Sequence, residues 1–185
     1  MPTNRLLVKE QIATYTQVLF EAAKNDGGEM GVLDAVGAAK GMVKAIRGNS
    51  DLEGALKDPG YSPEQKAQIV RGVFADAPQA LVSVVAVMAE RGETDLLPRV
   101  ADQLEQRMSD ELNLVIVDVE TAIELDDNLR EQIKKKAESE LGKKVVLKEH
   151  INKSIIGGII MSTKDERIDA SLLTRVERTR EALKQ

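Results

Sequence analysis

Apolar residues recur at helical spacing through the first hundred positions of this chain and switch to alternation after Ser109. Between Arg5 and Lys24 they fall at Leu7, Ile12, Tyr15, Val18, Leu19 and Ala22, which predicts a helix. "NDGG" at Asn25–Gly28 ends it. A second helical pattern covers about Met30 to Arg47, with Val32, Val36, Val43 and Ile46. Gly37 and Gly41 lie four apart within it. Each costs about 1 kcal/mol of helix propensity against alanine, so the expectation is that a neighbouring helix packs closely there. A short helix over Asp51–Lys57 follows "GNSD", and "DPGYSP" is a turn. Ser62 suits an N-cap, Pro63 the first helical position and Glu64 the first turn of a helix reaching about Phe74. Pro78 opens another, which ends at Arg91-Gly92. Thr94 or Asp95 caps a last one, from about Leu96 to Met108. The expected architecture for residues 1–108 is a six-helix bundle.

Beyond Ser109 the period changes. "NLVIVDVETAI" (Asn113–Ile123) alternates and is β-branched, so it predicts a strand. Asp126 or Asp127 starts a helix to about Leu141, stopped by Gly142. "KKVVLKEHI" and "IIGGIIMST" predict two more strands and "RIDA" a short fourth piece. Ser171 to Lys184 predicts a closing helix with Leu172, Leu173, Val176 and Leu183 on one side. Residues 109–185 therefore read as a small α+β domain with a short mixed sheet and a C-terminal helix.

Composition narrows the chemistry. Aromatics make up 2% of the 185 residues, so aliphatic side chains must build both cores. There is no cysteine, which excludes disulfides and thiolate metal sites. The single histidine, His150, cannot form a histidine metal cluster, and no nucleophile motif accompanies it for a triad. Net charge is −5, made up of −3 as far as Ser109 (12 basic, 15 acidic) and −2 beyond it (14 and 16). Neither half has the basic excess of a nucleic-acid module. No apolar run approaches the roughly 20 residues of a membrane span, and the opening residues hold no signal-like segment.

The double glycine Gly157-Gly158 invites a phosphate-binding reading. A P-loop needs G-x-x-x-x-G-K-[ST], and a dinucleotide fold needs G-x-G-x-x-G between a strand and a helix. Neither pattern is present. The glycines run into more strand, which points to a bulge, a twist or a close backbone contact. Isoleucines on both sides predict a strand buried on both faces. Asp169 and Ser171 precede the closing helix, where capping accounts for them. His150 is expected to be solvated. Lys134, Lys135 and Lys136 sit among Glu131, Glu138 and Glu140 on a solvated helix. Asp126 and Asp127 suit a helix start. No constellation of an active site emerges, and no metal or cofactor is expected.

What remains is surface. The first helix is apolar along more than one line: Ile12, Tyr15 and Leu19 on one, Ala13, Phe20 and Ala23 elsewhere. Ala80 to Ala89 is apolar nearly all round. A bundle helix needs one buried stripe, so the surplus reads either as a groove for a partner helix or as a fully enclosed central helix.

These residues also carry a family resemblance. "SIIGGIIMSTKDERIDASLLTRVERTREAL" resembles the C-terminal motif of the delta subunit of F-type ATP synthase, the family of the mitochondrial oligomycin-sensitivity-conferring protein. "YTQVLFEAA" resembles its first-helix motif, "AERGETDLLPRVADQLEQ" the end of its helical domain, and "LGKKVVLKEHINKS" the stretch before the double glycine. The order holds along the whole chain. Three departures stand out: Ala170 for a usual glycine, Thr16 for a common alanine, and Glu93-Thr94 for a basic-apolar pair.

The resemblance implies a non-catalytic stator part, one copy per complex. The helical domain would cap the catalytic head and bind N-terminal helices of alpha subunits between the first and fifth helices. By that match Tyr15, Val18, Leu19 and Ala22 are expected to contribute, with Val82, Val85 and Ala89. The C-terminal domain would hold the b (and b′) subunits of the peripheral stalk, with Ile159, Met161, Leu173 and Val176 as candidates. Gly157, Gly158, Asp169 and Ser171 would be structural. The expected place is peripheral, on the cytoplasmic face of a bacterial plasma membrane, with an organelle inner or thylakoid membrane as the alternative. The competing functional classes are a nucleic-acid module on the α+β domain and a phosphoryl-transfer enzyme; scarce aromatics argue against the first and the missing phosphate loop against the second.

Overall fold

The helical periodicity of the first hundred residues folds as α1 (Arg5–Gly48), α2 (Ser50–Lys57), α3 (Pro63–Val73), α4 (Gln79–Glu90) and α5 (Leu97–Leu112), with a 3-10 turn at Thr94–Leu96. The computed structural model describes residues 5–155, 157–163 and 167–171. α1 is two helical limbs meeting at Gly28, whose φ of 61° and ψ of −138° are not helical. The break predicted at Asn25–Gly28 is thus a one-residue kink, and six helical segments make up this part of the chain. A second glycine makes the kink possible. A Cβ at Gly31 would lie 2.3 Å from the carbonyl oxygen of Ala23, so only a bare backbone fits.

Local chemistry sets the other helix ends. The Asn49 side chain accepts from the N–H groups of Asp51 and Leu52, both at 3.1 Å, and starts α2. Ser62 caps α3 with Pro63 in its first turn, and Gln65 completes a capping box by accepting from the Ser62 N–H at 2.8 Å. α5 runs four residues past the predicted end at Met108. Pairs one turn apart support the extension: Arg107 with Glu111 at 2.5 Å, and Gln106 donating to Asp110 at 3.2 Å. Aliphatic residues fill the core, among them Leu19, Val36, Leu56, Val70, Leu81 and Leu104. Gly37 and Gly41 depart from expectation. A Cβ added to either would meet nothing within 4 Å, so no close helix contact needs them.

After Leu112 the chain forms β1 (Leu114–Thr121), α6 (Asp127–Leu141), β2 (Lys144–Ile151), a 3-10 turn at Lys153–Ile155, β3 (Gly158–Ser162) and β4 (Arg167–Ser171). The sheet order is β2-β1-β3-β4. β1 and β2 are parallel, so α6 is their crossover, and the two other pairings are antiparallel. Asp126 caps α6 by accepting from Leu129 N–H at 2.7 Å. Gly142, at φ 64°, ends it in the left-handed conformation. One sheet face packs on α6 through Val117, Val119, Val145, Ile133 and Ala137. Contacts divide the chain into two units, Met1–Leu112 and Asn113–Gln185.

The double glycine is not inside a strand. Gly157 is a bend, and Gly158, at φ 88°, is the first residue of β3. The positive φ is what the sequence needs glycine for: it turns the chain from the 3-10 segment into the sheet. Nor is β3 buried on both faces throughout. Ile160 is buried, while Ile159 and Met161 on the α6 side are partly covered. Asp169 and Ser171 are the register partners of Ile160 and Gly158 in β4, so Ser171 closes a strand. The helix predicted beyond it lies outside the described residues, and with it the capping reading.

Candidate partner-binding surfaces

α4 accounts for its own apolar excess. Leu81, Val82, Val84, Val85, Ala86, Met88 and Ala89 are all buried within the helical unit, leaving Gln79, Ser83 and Val87 as its exposed line. Three of the residues expected in a groove, Val82, Val85 and Ala89, are therefore core side chains of this chain.

The first limb of α1 behaves differently. Ile12, Tyr15, Thr16, Leu19, Phe20 and Ala23 form its buried face. Val18 is 52% exposed and Ala22 is partly covered. Leu7, Thr14 and Val18 fall seven and four residues apart on one exposed line, with Ala22 continuing it. Leu7 is 52% exposed and Val87, on the neighbouring α4, 37%. Leu7 and Val87 were not singled out from sequence, because a leucine or valine at helical spacing reads as core until its neighbours are known. Of the seven expected groove residues, Val18 and Ala22 face outward to any degree, and Tyr15 and Leu19 lie beneath them.

Polar contacts tie this limb down. Buried Thr16 donates to Gln103 Oε1 at 3.3 Å. Glu93, in the turn after α4, accepts from Gln11 Nε2 at 2.7 Å and from the Tyr15 hydroxyl at 2.5 Å. Arg91 Nη1 donates to the same hydroxyl at 3.4 Å. Burial, then the bond to the Glu93 carboxylate, raises the Tyr15 pKa above the usual phenol value. Phe20 is flanked by cations, Lys24 at 5.7 Å and Arg107 at 5.0 Å from its ring centre.

In the sheet unit Ile159 and Met161 pack against the α6 core. Met161 also lines a shallow crevice with Val117, Ala137, Leu141, Thr163 and Ile168. Leu173 and Val176 lie outside the described residues. Exposed apolar side chains gather where β1 and β2 end and α6 begins: Ile123, Leu129 and Ile151. Charges in this unit pair locally. Arg130 donates to both Glu149 oxygens, at 2.5 and 3.1 Å, and to Asp127 at 2.5 Å. That guanidinium holds the Glu149 carboxyl below its usual range. His150 Nε2 lies 3.2 Å from Asp118 Oδ1, and Lys135 pairs with Glu131 at 3.5 Å.

Among the described residues no group of three or more His, Asp or Glu is placed to hold a metal, and no helix is long and apolar enough to cross a membrane. Nor does any buried side-chain nitrogen or oxygen there lack a hydrogen-bond partner.

Comparison with known proteins gives a consistent answer. The ATP synthase subunit delta of Geobacter metallireducens is 33% identical over 161 residues, 85% of this chain and 89% of that protein. The subunit of the same name from Rhodopirellula baltica is 26% identical over 89% of this chain and 72% of its own length. A chain in the cryo-EM structure of the Toxoplasma gondii mitochondrial ATP synthase hexamer shares the fold. It covers 94% of this chain and 97% of its own, with a TM-score of 0.56 at 16% identity. The profile of the ATP synthase delta (OSCP) subunit family matches residues 12–183, and the chain belongs to that family.

Proposed function

We propose that this protein is the non-catalytic stator subunit of an F-type ATP synthase, joining the catalytic head to the peripheral stalk so that the head does not turn with the rotor. The observation that carries this is the family match along residues 12–183, which spans both units. Each unit offers exposed apolar side chains of its own. The helical unit has Leu7, Val18 and Val87, and the sheet unit has the Met161–Ile168 crevice and the Ile123–Ile151 end.

On this reading an N-terminal helix of an alpha subunit lies along the first limb of α1 beside α4. Val18 and Ala22 touch it, and Tyr15, Leu19, Val82, Val85 and Ala89 form the packed floor beneath. The b subunits of the stalk engage the sheet unit, with Ile159, Met161, Leu173 and Val176 as the candidate contacts. One copy serves each complex, at the membrane periphery, on the cytoplasmic face of a bacterial plasma membrane or its organelle equivalent. A nucleic-acid role is not favoured: Arg130, Lys135 and His150 already face carboxylates of the same unit.

The test is calorimetric titration with a peptide from the N-terminus of an alpha subunit of the same organism. One-to-one binding that Val18→Asp abolishes supports the reading. Binding untouched by that variant moves the site elsewhere. No binding at high micromolar concentration contradicts the head-side contact.

A further inference from the structure

One carboxylate connects α1 to the turn that follows α4. Both its oxygens are taken by the same helix: Gln11 Nε2 donates to Oε1 of Glu93 at 2.7 Å and Tyr15 Oη to Oε2 at 2.5 Å. Gln11 and Tyr15 are four residues apart, so successive turns of α1 hold one group. Arg91 faces the Tyr15 hydroxyl from the other side, at 3.4 Å.

The geometry of this clasp matters because most of the limb's buried face is apolar, its other directional contact there being the longer Thr16–Gln103 hydrogen bond at 3.3 Å. Ile12, Leu19 and Ala23 are buried among apolar neighbours, and apolar attraction has no preferred direction. Close packing limits a large roll of such a helix, and directional bonds resist the small ones. Hydrogen bonds weaken steeply when misaligned. Two of them, from successive turns to one carboxylate, fix both the roll and the axial position of the limb. The exposed line of Leu7, Thr14 and Val18 adjoins Gln11 and Tyr15 on the helix surface, so these two bonds help to set its direction.

We propose that Glu93 is a positioning residue, whose clasp on Gln11 and Tyr15 fixes the roll of the first limb of α1 and so presents the Val18 line to a partner helix. This rests on the stator reading above.

The experiment uses the full chain carrying Glu93→Ala or Glu93→Gln, well below the unfolding midpoint of each. Two quantities are read: affinity for the alpha N-terminal peptide, and amide hydrogen exchange across residues 11–22 without peptide. Glu93→Ala is expected to weaken binding about ten-fold, the loss of roughly one hydrogen bond to a charged group, and to speed exchange in the limb. Glu93→Gln keeps one acceptor oxygen for Gln11 and puts an amide donor opposite the Tyr15 hydroxyl, which can then accept, so it is expected to restore part of both. Should Glu93→Ala fail to fold, Tyr15→Phe takes its place. A lower unfolding midpoint with unchanged affinity and unchanged exchange overturns the proposal and leaves a merely structural contact. If the wild-type chain binds no peptide, the stator reading fails at this surface. Faster exchange in Glu93→Ala would then uphold the clasp and remove its partner role, and unchanged exchange would overturn both.

Discussion

α4 and the first limb of α1 carry the same sequence signal, more apolar residues than one buried stripe requires, and they resolve it in opposite ways. α4 is enclosed, and its surplus is core: seven of its twelve residues are buried. α1 keeps a conventional buried face and leaves Leu7 and Val18 on the other side. An unbroken apolar run therefore marks a central helix. Val18 opens the apolar run Val18-Leu19-Phe20, and what sets it apart is its exposure beside two buried neighbours, which makes it the better pointer to a partner surface.

The sharpest way to break that contrast uses adjacent residues of α1. Leu19→Ala, at a fully buried position, should cost about 3 kcal/mol, whereas Val18→Ala should stay within about 0.5 kcal/mol. Urea unfolding of both variants measures this; equal losses would mean that Val18 belongs to the core. Next in size are the kink glycines. Gly31→Ala drives a methyl into the Ala23 carbonyl and Gly28→Ala forces a positive φ, each at about 2 kcal/mol. A neutral result at Gly31 would show that the limbs of α1 meet differently.

Tyr15→Phe removes one bond of the clasp and should cost about 1 kcal/mol. Because its folded pKa is raised, Tyr15 contributes stability that is fully present below the ordinary phenol value of about 10. That contribution is lost as pH rises through the higher folded value. The wild-type chain should therefore lose more stability than Tyr15→Phe between neutral and strongly alkaline pH, and parallel curves would place Tyr15 in water. The smallest effects have the opposite sign. Gly37→Ala and Gly41→Ala meet open space and should each stabilise by about 0.5–1 kcal/mol, seen as a higher thermal midpoint. A loss at either would mean that something packs there.

Most readings of local chemistry held; the cap expected from Thr94 or Asp95 did not, because both lie in a 3-10 turn that has no side-chain cap bond and α5 starts at Leu97. Ser62 with Pro63, Asp126 and Gly142 end their helices as the sequence indicates, since caps depend on residues within one turn. Gly37, Gly41 and the double glycine were read less well. A sequence shows that a side chain is missing but not whether a neighbour or a dihedral angle requires it. At Gly37 and Gly41 nothing approaches; at Gly158 the need is a φ of 88°. The Glu93 clasp joins residues 78 and 82 positions apart. No local pattern in the sequence marks it. The order and type of the elements were legible because β-branched alternation and helical periodicity are strong signals, and the mixed pairing of the sheet follows from the α6 crossover.

The central claim is a bridge, so the most direct measurement is a three-component sedimentation experiment with this chain, a catalytic head lacking its own delta subunit, and the soluble part of the stalk b subunits. The account predicts one complex holding all three with a single copy of the chain, and no association of head with stalk when the chain is left out. Competition between head and stalk for the chain, or head and stalk joining equally well without it, would contradict the account.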